Sequence, residues 1–377
     1  MPQHNLKYAS VTWIDYVKAV CIMSALPFVA GSQLLLSFFS KNNAHKPWRR
    51  VLTDATFRYV SSSMSVPQMQ LVMGTTLSVY KKWAKQHGVE RDVQELGDDA
   101  RLLWMTERNT DRVILYIHGG VYCLPMQEPA ATFWKKTVDS INDETRRQVG
   151  LVTLNYSLVP TAYFPTQLKQ TILALNHLRS SGIKPENIHI AGESAGGALI
   201  LQLLSYILHP LSDKFIPSLN FQRGDRFGSF CIMSPWVSLN GKTGSHLANS
   251  DSDVLPASTW AYLGDQNRPS LNSSKEASYF MEALNVPDEW FSGTFGVVDR
   301  ILISVGEKEC LRDDVLEVAQ KLGNGGQKLR VVVDKNGVHN DQYQDIMAGY
   351  SHQRQLTKDI RGWMLEKFIE TDDHVSS

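Results

Sequence analysis

The stretch Ile188-His189-Ile190-Ala191-Gly192-Glu193-Ser194-Ala195-Gly196-Gly197 decides how the rest of the chain is read. Its first four residues have the composition of a short buried strand, and residues 198–208 that of an apolar helix. Between them stands Gly-x-Ser-x-Gly. Strand, sharp turn and helix is the setting in which a serine hydroxyl is presented as a nucleophile. The turn forces Ser194 into a strained backbone conformation, and side chains at 192 and 196 would collide with the adjoining strand and helix. The hydroxyl then lies at a helix N-terminus, where backbone N–H groups favour developing negative charge. The plainer reading is a glycine-rich strand–helix turn with an incidental serine. The pentapeptide does not separate the two readings, so the flanking sequence has to.

Upstream, residues 112–117 (Arg-Val-Ile-Leu-Tyr-Ile) predict a strong strand that runs into His118-Gly119-Gly120-Val121-Tyr122. Paired glycines after a strand let backbone N–H groups turn toward a bound carbonyl oxygen. His-Gly-Gly alone is weakly specific; about 75 residues before a serine elbow it says much more. His118 lies on the oxyanion side and reads as a loop brace rather than a base. Residues 93–96 and 101–105 predict a hairpin around Gly97-Asp98-Asp99. Further strands are expected at 151–156, 229–233, 301–305 and 329–333, and helices at 133–141, 167–180, 315–322 and 343–368. In the last of these helices Gly349-Tyr350-Ser351 is a weak point. Strand–helix alternation with short apolar strands predicts a mostly parallel sheet covered on both faces. Active sites of such sheets lie at the carboxyl ends of the strands, where Gly120 and Ser194 fall.

A serine hydroxyl is a poor nucleophile at neutral pH and needs a base, which in turn needs an acid to hold its tautomer. The histidines after the last acidic loop are His339, His352 and His374. His339 follows the last expected strand; His352 falls in the expected final helix and His374 in a polar tail. His339 is therefore the base candidate. The acid belongs just after the penultimate strand, where Glu307, Glu309, Asp313 and Asp314 compete. Glu309 is preferred and Asp313 stands second, because Asp313 and Asp314 also suit the cap of the helix that follows. The order Ser194, acid, His339 is that of the hydrolase elbow proteins.

The chain has 377 residues, 43% of them hydrophobic and 20% charged, with zero formal net charge, so nothing electrostatic argues for nucleic acid. Cys21, Cys123, Cys231 and Cys310 show no metal spacing and no dense disulfide framework, and read as mostly buried free thiols. Residues 19–40 carry no charge over about 22 positions, enough to cross a bilayer. Pro27, Gly31, Ser32 and Gln33 interrupt the run. A spanning anchor, a segment lying on a membrane surface and a cap helix over the site all remain open. Residues 49–61 and 68–85 predict helices. The division expected is residues 1–100 as hydrophobic segment and helical cap region, 101–370 as catalytic domain, and 371–377 as tail. Residues 237–295, rich in Ser, Asn, Asp and aromatics, break the rhythm as a lid or a surface excursion.

With HGGVY at 118–122, GESAGG at 192–197, ECLRDD at 309–314 and His339, the chain resembles the hormone-sensitive-lipase-like branch of the α/β-hydrolase fold. That branch usually has HGGG, GDSAGG and a D-P-L-R-D loop. Aligning the loop places the acid at Glu309, and the departures are Val121, Glu193, Glu309 and Cys310. The N-terminal region and Ser234-Pro235-Trp236-Val237-Ser238 also resemble fungal members related to steryl acetyl hydrolases. The resemblance implies an α/β-hydrolase fold with a helical cap, and a serine esterase or deacetylase using Ser194, Glu309 and His339. It implies oxyanion donors at Gly119 or Gly120, Val121 and Ala195, with no metal or organic cofactor. The substrate it implies is a small lipophilic ester, such as an acetylated sterol or a fungal secondary metabolite. Acyl transfer or cyclisation on the same residues, and a receptor that has lost catalysis, are the alternatives. Membrane association through residues 19–40 implies the endoplasmic reticulum or another intracellular membrane; without it the expectation is cytoplasmic. The oligomeric state is left open.

Overall fold

The computed structural model describes residues 7–40, 43, 46–211, 216–241, 244–271, 275–323, 328–350 and 354–375. A capping box, in which Thr12 and Asp15 satisfy each other's backbone N–H groups, starts helix α1 (Trp13–Ser37). Pro27 lies inside it. The helix stands largely in the open; of its residues Ala19 alone is buried. Its first turns rest on α2 (Trp48–Ser63) and α3 (Val66–Met73), where Gln68 Nε2 donates to the Asp15 carbonyl at 2.7 Å. Helix α4 (Thr76–His87) follows a break that replaces the single helix expected over 68–85. The cause is Gly74 at φ +76°, after which Thr75 caps the new helix.

The sheet begins with β1 (Asp92–Gly97), β2 (Ala100–Trp104) and β3 (Val113–Ile117), then α5 (Glu128–Glu144), β4 (Gly150–Asn155) and α6 (Thr166–Ser180). Next come β5 (Ile188–Glu193), α7 (Ala195–Leu208) and β6 (Ser229–Met233). The irregular stretch holds α8 (Ser245–Ala248), α9 (Ala257–Asn267), α10 (Lys275–Met281) and α11 (Thr294–Val297). The chain closes with β7 (Ile301–Gly306), α12 (Arg312–Gly323), β8 (Leu329–Asp334), α13 (Asp341–Met347) and α14 (Gln355–Val375). One final helix was expected and two are observed: Gly349 turns left-handed at φ +74° and the first stops at Met347.

The strands form one sheet in the order β1-β2-β4-β3-β5-β6-β7-β8. β1 and β2 pair antiparallel, as do β2 and β4, and the remaining pairs are parallel. The central strands are buried on both faces, which is why they read as unbroken apolar runs. On β3, Val113, Leu115 and Ile117 join the core under α6, α7 and α12, while Ile114 and Tyr116 join that under α5 and α14. The stretch at 237–295 is more than a surface excursion. Trp260, Phe280 and Phe291 are buried; α10 and α11 pack against α7, and Asn249 Nδ2 donates to the Glu307 and Glu309 carbonyls just past β7. Cys123, Cys231 and Cys310 are buried free thiols, and Cys21 is exposed.

Candidate active site

Ser194 stands where β5 gives way to α7, with φ 52° and ψ −120°, a strained combination for a residue with a side chain. The glycines make that turn sterically feasible. A Cβ on Gly192 would lie 2.8 Å from Gly196 C and from the Ile117 carbonyl, and one on Gly196 would overlap the Ile117 carbonyl. Ser194 N donates to the Met233 carbonyl at 2.9 Å and its own carbonyl accepts from Trp236 N at 3.0 Å, so β6 fixes the turn from outside.

His339 follows β8 and is buried. Its Nδ1 lies 2.7 Å from Glu309 Oε1. Glu309 is wholly buried, and its other oxygen accepts from Ser234 Oγ at 2.8 Å and Gly306 N at 2.9 Å. Among the four acidic candidates, Glu309 is the one that touches His339. Glu307 accepts from Asn336 N, Asp313 holds Ser245 N and pairs with Arg312, and Asp314 meets His246. His352 lies outside the described residues. Burial alone would pull the His339 pKa down; the Glu309 carboxylate overrides it and holds the ring above its ordinary 6.5. His339 Nε2 lies 3.0 Å from the Asn340 amide nitrogen, which with Nδ1 facing a carboxylate places the neutral ring's proton on Nδ1. Ser194 and His339 line the same cavity.

Two side chains bracing this pair gave no signal in the sequence. Asp253, in the cap, accepts from His339 N at 2.9 Å through one oxygen and from Cys310 N at 2.8 Å through the other. It thereby ties the cap to both loops that carry the histidine and the acid. Burial first, then the Glu309 charge, pushes its carboxyl up to about 6. Trp260 of α9 sets its ring edge-on to His339, with centroids 5.0 Å apart. These contacts leave no motif, because they join positions at least 57 residues apart.

The loop after β3 runs left-handed through Gly120 (φ 102°), Val121 (φ 51°) and Tyr122 (φ 59°). A β-branched residue at positive φ is costly and is held here by its surroundings. Asn267 Nδ2 donates to the Val121 carbonyl at 3.0 Å, Gln70 Nε2 to that of Cys123 at 2.8 Å, and Val159 N to that of Tyr122 at 2.8 Å. The expectation that Gly119 offers an N–H to an oxyanion needs correcting. That N–H already donates to Glu193 Oε1 at 2.6 Å. No described hydrogen bond engages the N–H groups of Gly120, Val121 or Ala195. Glu193 also accepts from the hydroxyls of Tyr116 at 2.9 Å and Tyr343 at 3.1 Å, and burial raises its carboxyl to about 7. His118 braces the loop as expected. Its ring is buried, contacts Thr76 Oγ1 and the Gly119 carbonyl, and has its pKa pressed down to about 4 by desolvation.

The cavity over Ser194 holds about 240 Å³. Phe57, Met69, Met73, Leu124, Leu255 and Leu263 are among the apolar residues of its wall, and neither lysine nor arginine lines it. Among the described residues no group of three or more His, Cys, Asp or Glu is placed to hold a metal.

Similarity to other proteins follows the same lines. Residues 114–342, more than half of the chain, match the family model described as alpha/beta hydrolase fold. Over 345 residues the chain is 26% identical to mug81 of Schizosaccharomyces pombe, a protein whose name refers to steryl acetyl hydrolase; the match covers 83% of this chain and 86% of that one. Over 178 residues it is 27% identical to neutral cholesterol ester hydrolase 1 of Bos taurus, 42% of each chain. A crystallised esterase of the bacterial hormone-sensitive lipase family superposes with a TM-score of 0.62 at 18% identity, covering 86% of this chain and 99% of its own. By the extent of the family match, and by a sheet and elbow built to the same plan, the chain belongs to the α/β-hydrolase fold family.

Proposed function

We propose that the protein is a serine carboxylic-ester hydrolase that removes a short acyl group from a lipophilic alcohol. The observation that carries this reading is the buried Glu309–His339 pair opening onto the same apolar cavity as a strained serine. Ser194 Oγ attacks the ester carbonyl and His339 Nε2 takes its proton. Glu309 holds Nδ1–H and stabilises the imidazolium. The developing oxyanion is met by the free N–H groups of Gly120, Val121 and Ala195, the last at the start of α7. His339 then protonates the leaving alcohol, and water attacking the acyl-serine completes the cycle. A methionine- and leucine-lined cavity with no lysine or arginine in its wall suits a neutral, apolar ester. The names of the two relatives, which refer to steryl acetates and cholesterol esters, support the same substrate class.

The same reading seats α1 on or in a lipid bilayer. The helix has 25 residues, its most apolar 18-residue stretch has a mean hydropathy of 1.9, and it exposes Trp13, Val20, Phe28, Leu35 and Leu36. At about 1.5 Å per residue that length exceeds the roughly 30 Å of a bilayer core.

Replacement of Ser194 by Ala is expected to lower turnover of a short-chain ester by about 10⁴- to 10⁶-fold. It is also expected to abolish labelling by a fluorophosphonate. A Ser194→Ala protein that keeps most of its ester hydrolysis overturns the assignment.

A further inference from the structure

A second cavity of about 670 Å³ adjoins the catalytic one, and Phe57, Val60 and Met347 line both. The outer one is an open groove between α2, the first turns of α5 and the end of α13. Leu52, Thr56, Pro129, Thr132 and Ile346 form its floor and sides, and Glu128 stands within it. Pockets that take drug-sized molecules run from about 300 to 1,000 Å³. The catalytic cavity alone falls below that range, so an ester with a bulky partner on either side of the carbonyl must extend beyond it.

Which half of the ester extends is set by the chemistry. The leaving alcohol oxygen must collect its proton from His339, so the alcohol lies on the histidine side of the serine. Helix α13 starts two residues after His339 and carries Ile346 and Met347 into the groove. Met69, Val121, Leu255 and Leu263 line the catalytic cavity and not the groove, and are left to the acyl side. A buried ion network ties α2 to α13, two of the helices that wall the groove. Arg50 of α2, 2% exposed, pairs with Asp54 of its own helix and with Asp341 and Asp345 of α13, and Arg354 closes the network on Asp341 at 2.8 Å.

We infer that this groove is the alcohol subsite, taking the body of a bulky, largely apolar alcohol whose ester oxygen lies at His339, and that Phe57 and Met347 form the passage. The assignment rests on the ester-hydrolase reading. It makes the N-terminal helix α2 a determinant of substrate choice, with Thr56, Thr132 and Glu128 offering polar contacts to a substituent far from the ester.

The test uses the full chain and two substrate series. One series keeps the acetyl group and enlarges the alcohol, from p-nitrophenyl acetate through 2-naphthyl acetate to cholesteryl acetate. The other keeps p-nitrophenol and lengthens the acyl chain from acetate to octanoate. Thr56→Trp fills the groove, and Thr53→Trp does so independently from its rim. Each is expected to lower kcat/KM for cholesteryl acetate relative to p-nitrophenyl acetate at least tenfold, with no such fall in the octanoate-to-acetate ratio. Phe57→Ala, which opens the passage, is expected to raise the cholesteryl-to-nitrophenyl ratio. An unchanged ratio in both tryptophan variants, or a fall confined to the acyl series, overturns the inference. Labelling of Ser194 by a fluorophosphonate separates the two failures. A labelled, ester-cleaving protein with an unchanged ratio sinks only the groove, whereas no labelling and no cleavage sinks the hydrolase reading and the groove together.

Discussion

At Glu309 and Glu193 the same side chain type does opposite work, and the difference lies in what each faces. Glu309 contacts His339, so its charge has a partner at the moment the imidazolium forms. The His339 pKa lies above 6.5 against the pull of burial, so kcat/KM should fall as pH drops through a midpoint above that value. In Glu309→Gln the midpoint should move to lower pH, and the plateau should drop by about 10⁴-fold. Asp313→Asn should leave the midpoint where it is, because Asp313 holds only Ser245 and Arg312. A pH–rate profile of both variants checks this; a larger effect at Asp313 reverses the choice of acid. Glu193 forms no ion pair among the described residues and accepts instead from Gly119 N and two tyrosines. Its folded pKa of about 7 lies above the ordinary 4.5. The protonated form is thus favoured by folding, and its contribution is present below about 4.5 and lost as pH rises toward 7. By linkage that loss is about 3 kcal/mol. The native protein should therefore lose thermal stability between pH 5 and pH 8 relative to Glu193→Gln. Melting curves with parallel pH dependence would refute it.

At the scale of elements, the site depends on how two helices outside the sheet are joined. Burial would pull the Arg50 pKa down, but Asp341, Asp54 and Asp345 overrule it, and the guanidinium stays charged between α2 and α13. Removing one partner of a buried network leaves the others uncompensated, typically at about 3–5 kcal/mol. Arg50→Leu should accordingly lower the denaturation midpoint. Because α13 begins just after His339, it should also reduce kcat more than loss of a surface ion pair such as Lys135–Asp139. Equal effects from Arg50→Leu and Lys135→Ala would show that the clamp does not reach the histidine. The helix ends carry a lesson about legibility. Gly74 and Gly349 split segments whose apolar spacing reads as continuous, since periodicity records which face is buried and not where a left-handed residue stops the hydrogen-bond ladder.

At the scale of the whole molecule, a buried sheet core contrasts with an apolar helix that stands outside it. Ala19 packs into the core with Met64, Val66 and Met69, while the far half of α1 presents Phe28, Leu35 and Leu36 outward. Met69 and Met73 of α3 line the catalytic cavity, and Leu71 and Val72 of the same helix are exposed beside α1. A bilayer covering α1 would therefore lie next to the cap. On fractionation the full chain should sediment with membranes and resist carbonate extraction. A variant with Val20, Phe28, Leu35 and Leu36 replaced by Ser should move to the soluble fraction. Full release of the unaltered chain by carbonate excludes a spanning helix.

The sequence by itself determined the elements of the sheet and the residues of the candidate site that belong to local patterns. Apolar runs of strand length marked the inner strands β3, β6 and β7, because a strand buried on both faces has no polar side to show. Ser194 was legible because the elbow needs its glycines within two residues, and Glu309 and His339 because each follows a recognisable strand. Tertiary structure alone decided what those residues face. It turned Gly119 toward Glu193, brought Asp253 and Trp260 from the cap onto His339, and sorted Glu309 from its acidic neighbours by contact. These pairings lie from 30 to 86 positions apart, and no local spacing encodes them. They follow from the way loops leaving separate strands meet at the carboxyl edge of one sheet, and that meeting is a property of packing rather than of any one segment.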